Sequence, residues 1–325
     1  MSFPANVYLA TFGLAFAATG ASLPLWRRAC ERAGLVDDPG HRKIHAHRVP
    51  LAGGFAVLTG LLLPLALGAL WLRLRPDALA NLAVYPVHRL GELAVILLGG
   101  AGMLALGALD DKYELSPRVK FTGQLAIALL LAAARVRITL FVPSLAFSYA
   151  ITCLWILTVV NAFNFMDNMN GLCAGLGAIG AAAFTAHAAG HGQYLVAILG
   201  LATAGSLLGF LPHNYPLATA FLGDAGSHLV GYLMAVMAIL PHFYTARNPH
   251  PWAVLAPLLI LAVPLGDLAW VVVLRRRLGR PFYIGDTNHL SHRLVRSGWS
   301  RPGAVALIWL LALLAGLLSW LLPGF

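Results

Sequence analysis

The stretch GAVALIWLLALLAGLLSWLL, residues 303–322, contains no charged side chain. It reaches the roughly 20 residues that one helix needs to cross a bilayer. The whole chain follows the same pattern, since 59% of its 325 residues are hydrophobic, only 10% are charged and the mean hydropathy is +0.78. A soluble domain carries about 25% charged residues. The composition therefore predicts an integral membrane protein.

Apolar runs of similar character recur along the chain and set the predicted architecture. The clearest runs are 5–25, 51–72, 121–134, 172–190, 193–211, 252–273 and 303–322. Three less uniform runs are 92–109, 149–166 and 227–241. We predict an all-α polytopic membrane protein of about ten transmembrane helices, in which residues 1–325 form a single integral-membrane domain.

Lys and Arg residues predict the orientation of these helices. With residue 1 outside, the inner loops carry sixteen of the 22 Lys and Arg residues. Those loops are 26–50, 110–120, 161–171, 212–226 and 274–302. This bias predicts a protein of the cell's inner membrane with both termini outside. The net charge of +10 then indicates a basic inner face against anionic lipid, and no nucleic-acid partner.

The acidic residues predict chemistry at the inner face. Nine of the twelve fall in inner loops or at inner helix ends: Glu31, Asp37, Asp38, Asp110, Asp111, Glu114, Asp167, Asp224 and Asp286. A transporter more often carries ionisable residues near the bilayer midplane. Carboxylates at the inner mouth instead favour an enzyme that joins a soluble cytoplasmic substrate to a membrane-bound one.

Two inner stretches contain charges suited to phosphate or metal. DDPGHRKIHAHRVPLAGG (37–54) contributes Arg42, Lys43 and His45, which either hold phosphates or are only part of the basic inner face. GALDDKYELSPRVKFTGQ (107–124) contains adjacent carboxylates, Asp110 and Asp111, which repel unless a cation or proton lies between them. Magnesium on a diphosphate is one such cation. The alternative is a solvated helix end balanced by lysines.

Two further stretches are rich in amides and glycine. In NAFNFMDNMNGL (161–172), Asn161, Asn164 and Asn168 share one face of a helix. They form either a hydrogen-bond network between helices or a polar ligand site, and their density favours the ligand site. In FLGDAGS (221–227), Asp224 precedes a span whose N-terminus favours an anion. Asp224 or Ser227 would alternatively cap that helix.

The fifth stretch runs from PLGD (264–267) through RRRLGRPFYIGDTNHLSHRL (275–294). On a helix, His289, His292 and Arg293 present donors together. Two histidines without a third nitrogen or sulfur ligand make a weak zinc site, so phosphate contact is favoured.

Together and in this order, the five stretches resemble the polyprenyl-phosphate N-acetylhexosamine-1-phosphate transferase family. They are most similar to the bacterial branch that starts O-antigen and teichoic-acid linkage units, and less so to the lipid I-forming translocase. The similarity covers residues 37 to 294. Matched motif positions are Asp37, Pro39, Arg42, Lys43, His45, Pro50, Gly53, Gly54, Asp110, Asp111, Leu115, Ser116, Lys120, Gln124, Asn161, Ala162, Asn164, Asp167, Phe221, Gly223, Asp224, Gly226, Ser227, Pro264, Asp267, Asp286, His289 and His292.

The resemblance implies a reaction and a distribution of roles. N-acetylhexosamine-1-phosphate passes from a UDP-sugar to undecaprenyl phosphate, UMP is released and a cell-envelope glycan begins. Mg²⁺, or Mn²⁺ in its place, is the implied cofactor, on Asp224, Asn164 and Asp111. The implied catalytic residues are Asp110, Asp111, Asp167 and Lys120. The implied substrate contacts are Asn161, Asn164, Asn170, Arg42, Lys43, His45, His289, His292 and Arg293.

The chain departs from the family pattern in two motifs. Asp-Gly-x-Asp-Gly-Leu is replaced by a sequence with Asn168 and Asn170 at the second and fourth positions. His-x-His-His has Ser291 as its third residue. A transporter or flippase of lipid-linked sugar and a catalytically impaired homologue therefore stay open as alternatives. The choice of N-acetylhexosamine, the downstream polymer and a homodimer also stay open.

Overall fold

The computed structural model describes residues 4–38, 47–74, 88–241, 250–281, 283 and 285–322. In this part of the chain the helices are α1 Ala5–Ala33, α2 Gly53–Leu74, α3 His88–Tyr113, α4 Pro117–Ala133, α5 Leu145–Met166, α6 Leu172–Gly190, α7 Tyr194–Phe210, α8 Gly223–Ile239, α9 Ala256–Ile260, α10 Ala262–Arg277, α11 Leu290–Arg296 and α12 Arg301–Leu318. The 3₁₀ turns are Leu211–His213, Pro251–Leu255 and Ser319–Leu321. Two short antiparallel strands, β1 Val36–Asp37 and β2 Val49–Pro50, pair with each other.

The prediction of an all-α polytopic membrane protein is confirmed. Among the described residues, seven helices are long and apolar enough to cross a membrane, and a bent pair makes an eighth if it is one span. The apolar helices α4 and α8 have 17 residues each and are not among those seven. The count of ten, the outward termini and the single domain stay predictions.

The run predicted at 252–273 is broken. Pro251–Ile260 and Ala262–Arg277 meet at Leu261 with a bend of 74°. Pro264, in the first turn of α10, supplies a physical reason. Its nitrogen has no hydrogen to donate to the carbonyl of Ile260, and its ring crowds that same carbonyl.

Helix α8 forms the centre of the bundle. Every residue from Ala225 to Met237 is buried. A helix that is apolar on all sides is stable where other helices surround it, and α8 packs against α3 and α5 over much of its length. The first turn of α8 is therefore held in place from several directions.

Two glycines allow neighbouring helices to touch that first turn. A Cβ atom added at Gly107 of α3 would lie 2.2 Å from the carbonyl oxygen of Asp224. One added at Gly54 of α2 would lie 2.6 Å from the backbone nitrogen of Gly226. The absence of side chains at both positions lets α2 and α3 fix the backbone around Asp224.

We expect Gly107→Ala to destabilise the protein, although alanine is the better helix former by about 1 kcal/mol. The added methyl group must displace the Asp224 backbone, and such overpacking costs roughly 1–3 kcal/mol. Thermal unfolding in detergent measures the effect. Gly68→Ala on α2, where the added Cβ meets nothing within 4 Å, is the matched control and should not lower the melting temperature. A Gly107→Ala protein as stable as the control would contradict this packing.

Candidate active site

A lysine ammonium group lies between two carboxylates at the ends of three helices. Asp110 is in the last turn of α3, Lys120 in the first turn of α4 and Asp224 in the first turn of α8. Lys120 Nζ ion-pairs with Asp110 Oδ2 and lies 3.2 Å from Asp224 Oδ2. The Asp110 side chain is 5% exposed, whereas those of Lys120 and Asp224 are 29% and 31% exposed. The ammonium group therefore offsets the repulsion between the carboxylates and stays accessible.

Asn164 completes this arrangement from the last turn of α5. Its Nδ2 donates to Asp224 Oδ1 over 2.8 Å and to Ser227 Oγ over 3.0 Å. The Asp224 carboxylate is thus held on one oxygen by Lys120 and on the other by Asn164. We call Asp110, Lys120, Asn164 and Asp224 the carboxylate–lysine cluster.

Asp111 holds the backbone of α8. Its two oxygens accept the backbone N–H groups of Asp224, over 2.8 Å, and of Ala225, over 3.0 Å. The first N–H groups of a helix have no partner within the helix, and a carboxylate there is also favoured by the helix dipole. Neither Asp224 nor Ser227 caps α8, as the alternative from sequence had it; Asp111 binds these N–H groups from another helix.

Asn161, Asn164 and Asn168 were predicted to share one helix face, but these asparagines and Asn170 have different partners. Asn161 Nδ2 donates to Gln124 Oε1 of α4 over 2.8 Å, so this contact joins two helices. Asn168 lies beyond the end of α5, and its Oδ1 accepts the hydroxyl of Ser291. Asn170 Nδ2 donates to the carbonyl of Pro216 over 3.1 Å. An aspartate at position 170 would have no hydrogen to donate there.

Asp167 directly follows α5 and lies near enough to Asp224 and Asp111 for their negative charges to act on its carboxyl group. Burial raises the pKa of its carboxyl well above the usual range, and the negative charges of Asp224 and Asp111 raise it further. A carboxyl group in this environment is suited to holding a proton or to meeting a cation.

His289 and His292 belong to a second group of residues next to α5 and α10. His289 is buried, and its Nδ1 donates to Asp267 Oδ2 over 2.7 Å. The other oxygen of Asp267 accepts the backbone N–H of Leu290, also over 2.7 Å. The two imidazole rings lie 6.3 Å apart. Burial lowers the pKa of His292, and the neighbouring His289 adds to that effect.

A buried ion pair supports this second group. Arg275 is 1% exposed, its Nε donates to Asp286 Oδ2 over 3.0 Å, and its guanidinium lies 4.9 Å from the centre of the Phe165 ring. The edge of the same ring meets His289, with ring centres 5.4 Å apart. Phe165 therefore joins the ion pair to the histidine.

The structure brings most of the predicted site residues to one region. The cluster unites four of them, Asp111 and Asp167 lie beside it, and His289 and His292 occupy the adjoining group. Arg293 packs on the Trp270 ring of α10 at 4.7 Å, and Asn161 lies between helices. Arg42, Lys43 and His45 lie outside the described residues.

The prediction from sequence gave no role to Asp267, although its motif had been matched. A carboxylate inside an apolar run is costly unless it is paired, and this cost was the signal that it had a partner. The partner itself, His289, is 22 positions away and could not be identified from the spacing.

The cluster fits a magnesium ion in part. Asp224 offers a carboxylate, whose two oxygens accept hydrogen bonds from Lys120 and from the Asn164 amide, and Mg²⁺ is commonly bound by one or two carboxylates together with substrate phosphates. Both oxygens of Asp111 already accept backbone N–H groups. No group of three His, Cys, Asp or Glu residues suited to a metal occurs in the part of the chain that the structure describes. The metal ligands therefore stay a prediction.

We expect Asp286→Asn to destabilise the protein by about 3 kcal/mol at neutral pH, because it removes the negative charge that faces the buried guanidinium of Arg275. Burial alone would raise the pKa of Asp286, but the hydrogen bonds from Arg275 and Asn288 lower it to about 2. A depressed pKa stabilises the fold above the normal value of 3.8, and this contribution is lost as the pH falls towards 2. The difference in melting temperature between wild type and variant should therefore shrink below about pH 4.

The matched control is Asp38→Asn. Its ion pair with Arg48 is exposed on both sides, and such pairs contribute little. Equal melting temperatures for wild type and Asp286→Asn at pH 7 would contradict the role given to the buried pair.

Comparison with known proteins identifies the family of the chain. The model of glycosyl transferase family 4 matches residues 93–242. A probable undecaprenyl-phosphate N-acetylglucosaminyl 1-phosphate transferase of Bacillus subtilis is 30% identical over 296 residues, which are 89% of this chain and 77% of the relative. A decaprenyl-phosphate N-acetylglucosaminephosphotransferase of Mycobacterium tuberculosis is 33% identical over 312 residues, 87% and 74% of the two chains.

An undecaprenyl-phosphate alpha-N-acetylglucosaminyl 1-phosphate transferase of Escherichia coli is 30% identical over 305 residues, 89% of this chain and 76% of the relative. The resemblance drawn from the five motifs is confirmed. The chain belongs to glycosyl transferase family 4, in the polyprenyl-phosphate N-acetylhexosamine-1-phosphate transferase family.

Proposed function

We propose that the protein transfers N-acetylhexosamine-1-phosphate from a UDP-sugar to undecaprenyl phosphate, releases UMP and starts a cell-envelope glycan. The observation that carries the proposal is the carboxylate–lysine cluster, in which four apolar helices end around an accessible ammonium group. The names of the three relatives supply the chemical class of the acceptor and of the transferred group.

The reaction forms one bond and breaks one. An oxygen of the lipid phosphate attacks the β-phosphorus of the donor, and the bond from that phosphorus to the bridging oxygen breaks as UMP leaves. Phosphoryl transfer depends mainly on positioning and on neutralising charge. In our proposal, Lys120 neutralises the lipid phosphate, and Asp110, which touches Lys120, orients that phosphate or takes its proton.

The donor occupies the adjoining surface in this proposal. Asp167 and Asn170, in the turn after α5, face the sugar-nucleotide. His289, His292 and Arg293 donate hydrogen bonds to the diphosphate of the UDP-sugar. Arg42, Lys43 and His45 also contact this diphosphate. The placement of His289 and His292 beside α5 supports this division.

Magnesium completes the proposed site, with manganese as a substitute. Asp224 and Asn164 would hold the ion, and Asp111 would keep Asp224 in position through the backbone of α8. When bound, the ion supplies positive charge to the diphosphate. The basic loops on the same side of the bundle support an active end that faces the cytoplasm from the inner membrane.

The direct test uses purified protein with UDP-N-acetylglucosamine, undecaprenyl phosphate and Mg²⁺. UMP release that requires both substrates supports the proposal, and its absence would reject it. A transporter or flippase would release no UMP. A catalytically impaired homologue would gain activity only on Asn170→Asp, whereas we expect no gain, because that change removes the hydrogen bond to Pro216. A panel of UDP-sugars then identifies the N-acetylhexosamine.

Asp224→Asn and Lys120→Met should each reduce turnover by about 10²–10³-fold, as the loss of one preorganised electrostatic group does in other enzymes. Elution as a single folded species in detergent shows that the loss is not one of folding. Glu114→Gln, which changes an exposed acid directly after α3, is the matched control and should retain activity. Near-normal turnover in both cluster variants would remove the cluster from the reaction.

Removal of divalent ions should abolish turnover, and Mg²⁺ or Mn²⁺ should restore it. Because Asp224 is the proposed main ligand, Asp224→Glu should need a higher Mg²⁺ concentration for half-maximal rate than wild type. Full turnover after exhaustive chelation would reject the cofactor.

A further inference from the structure

A buried hydrogen bond joins the turn after α5 to the short helix α11. Ser291 is fully buried, and its Oγ donates to Asn168 Oδ1 over 2.6 Å. The amide of Asn168 is also fixed on its other side, because its Nδ2 donates to the carbonyl of Phe165 over 2.6 Å. The amide therefore bridges the end of α5 and the buried side of α11.

The position of this bond connects two sets of predicted substrate contacts. Asn168 directly follows Asp167 and lies two residues before Asn170. Ser291 lies between His289 and His292. The one bond thus links the turn proposed for the sugar-nucleotide with the imidazoles proposed for its diphosphate.

Helix α11 needs such contacts to keep its place. It has seven residues, and a helix of that length is not stable by itself in water. At its start, Asp267 holds the His289 ring and the Leu290 N–H. This contact fixes α11 to α10, but it does not fix its distance from the turn after α5. The bond from Ser291 to Asn168 supplies that second constraint.

We propose that Asn168 and Ser291 are a pair of positioning residues that hold His289 and His292 in register with Asp167 and Asn170 for binding of the donor. The inference rests on the proposed function and deepens it. Both residues lie at positions where the chain departs from the family motifs, and the structure places those two departures in contact.

The consequence is a selective loss of donor binding. Without the hydroxyl, Asn168 Oδ1 accepts no hydrogen bond from α11. The turn after α5 and helix α11, which are proposed to bind the UDP-sugar together, are then no longer held to each other. The loss of one buried hydrogen bond should raise the KM for the UDP-sugar by about fivefold to tenfold. The KM for undecaprenyl phosphate should not change, because the carboxylate–lysine cluster is left intact.

The experiment compares Ser291→Ala, Asn168→Ala and the double variant, with both Michaelis constants measured. If the residues act as a pair, the double variant should be no worse than the more affected single variant. Ser291→Thr, which keeps the hydroxyl, should recover most of the donor binding. Ser297→Ala, which removes an exposed hydroxyl near the end of the same helix, is the control and should match wild type.

A KM for the UDP-sugar within twofold of wild type in Ser291→Ala would overturn the proposal that the two residues act as a pair. An increase in this KM in the double variant equal to the product of the two single increases would overturn it as well. A general structural defect would lower the active fraction without raising one KM alone. Should Ser291→Ala fail to fold, Asn168→Ala removes the same hydrogen bond from its other end and is read by the same criteria.

A second measurement separates this inference from the proposed function. Amide hydrogen exchange over residues 290–296 should be faster in Ser291→Ala and Asn168→Ala than in wild type, whether or not the protein releases UMP. Absence of UMP from wild type would reject the proposed function. Unchanged amide exchange in both variants would show that the hydrogen bond between Asn168 and Ser291 does not hold α11 in place.

Discussion

The structure depends on a lysine that lies between two carboxylates. Asp110 lies in the last turn of α3 and Asp224 in the first turn of α8, in a mostly apolar bundle. Two negative charges there repel strongly unless a cation separates them. Lys120 supplies that cation from the helix that follows Asp110 directly in the chain. Because the three residues come from α3, α4 and α8, one electrostatic contact fixes where these helices meet. Asp111 adds the exact partner that the α8 backbone lacks, two acceptors for its first N–H groups.

The site has two parts. The carboxylate–lysine cluster carries the charged groups, and the group around His289 contains side chains held in fixed positions. The carboxylate–lysine cluster exposes an ammonium group and a carboxylate to the surface, and both suit a phosphate and its counterion. Two contacts fix the imidazole ring of His289: Asp267 accepts a hydrogen bond from its Nδ1, and the Phe165 ring packs against it. The bond between Asn168 and Ser291 joins the turn after α5, which carries Asp167, to helix α11 of the His289 group. A substrate with a diphosphate between a sugar and a nucleoside would contact both.

Composition and the length of the apolar runs were enough to predict an all-α membrane bundle, although the count of ten stays a prediction beside the seven or eight spans of the described residues. The break at Leu261 was missed because the run remains apolar across it, although Pro264 was a local signal. The shared face of Asn161 and Asn164 was predicted from helical spacing, but their partners, Gln124 and Asp224, were not. The role of Asp111 depends on backbone groups 113 residues away, which no local pattern records.

In our proposal the cluster of Asp110, Lys120, Asn164 and Asp224 is the reaction centre. The most direct measurement is the position of bound Mn²⁺, found from its anomalous X-ray scattering in crystals grown with the UDP-sugar. We expect one strong peak beside the Asp224 carboxylate and the Asn164 amide, with the diphosphate of the UDP-sugar next to it. A peak among other residues, or donor density away from Lys120 and Asp224, would contradict it.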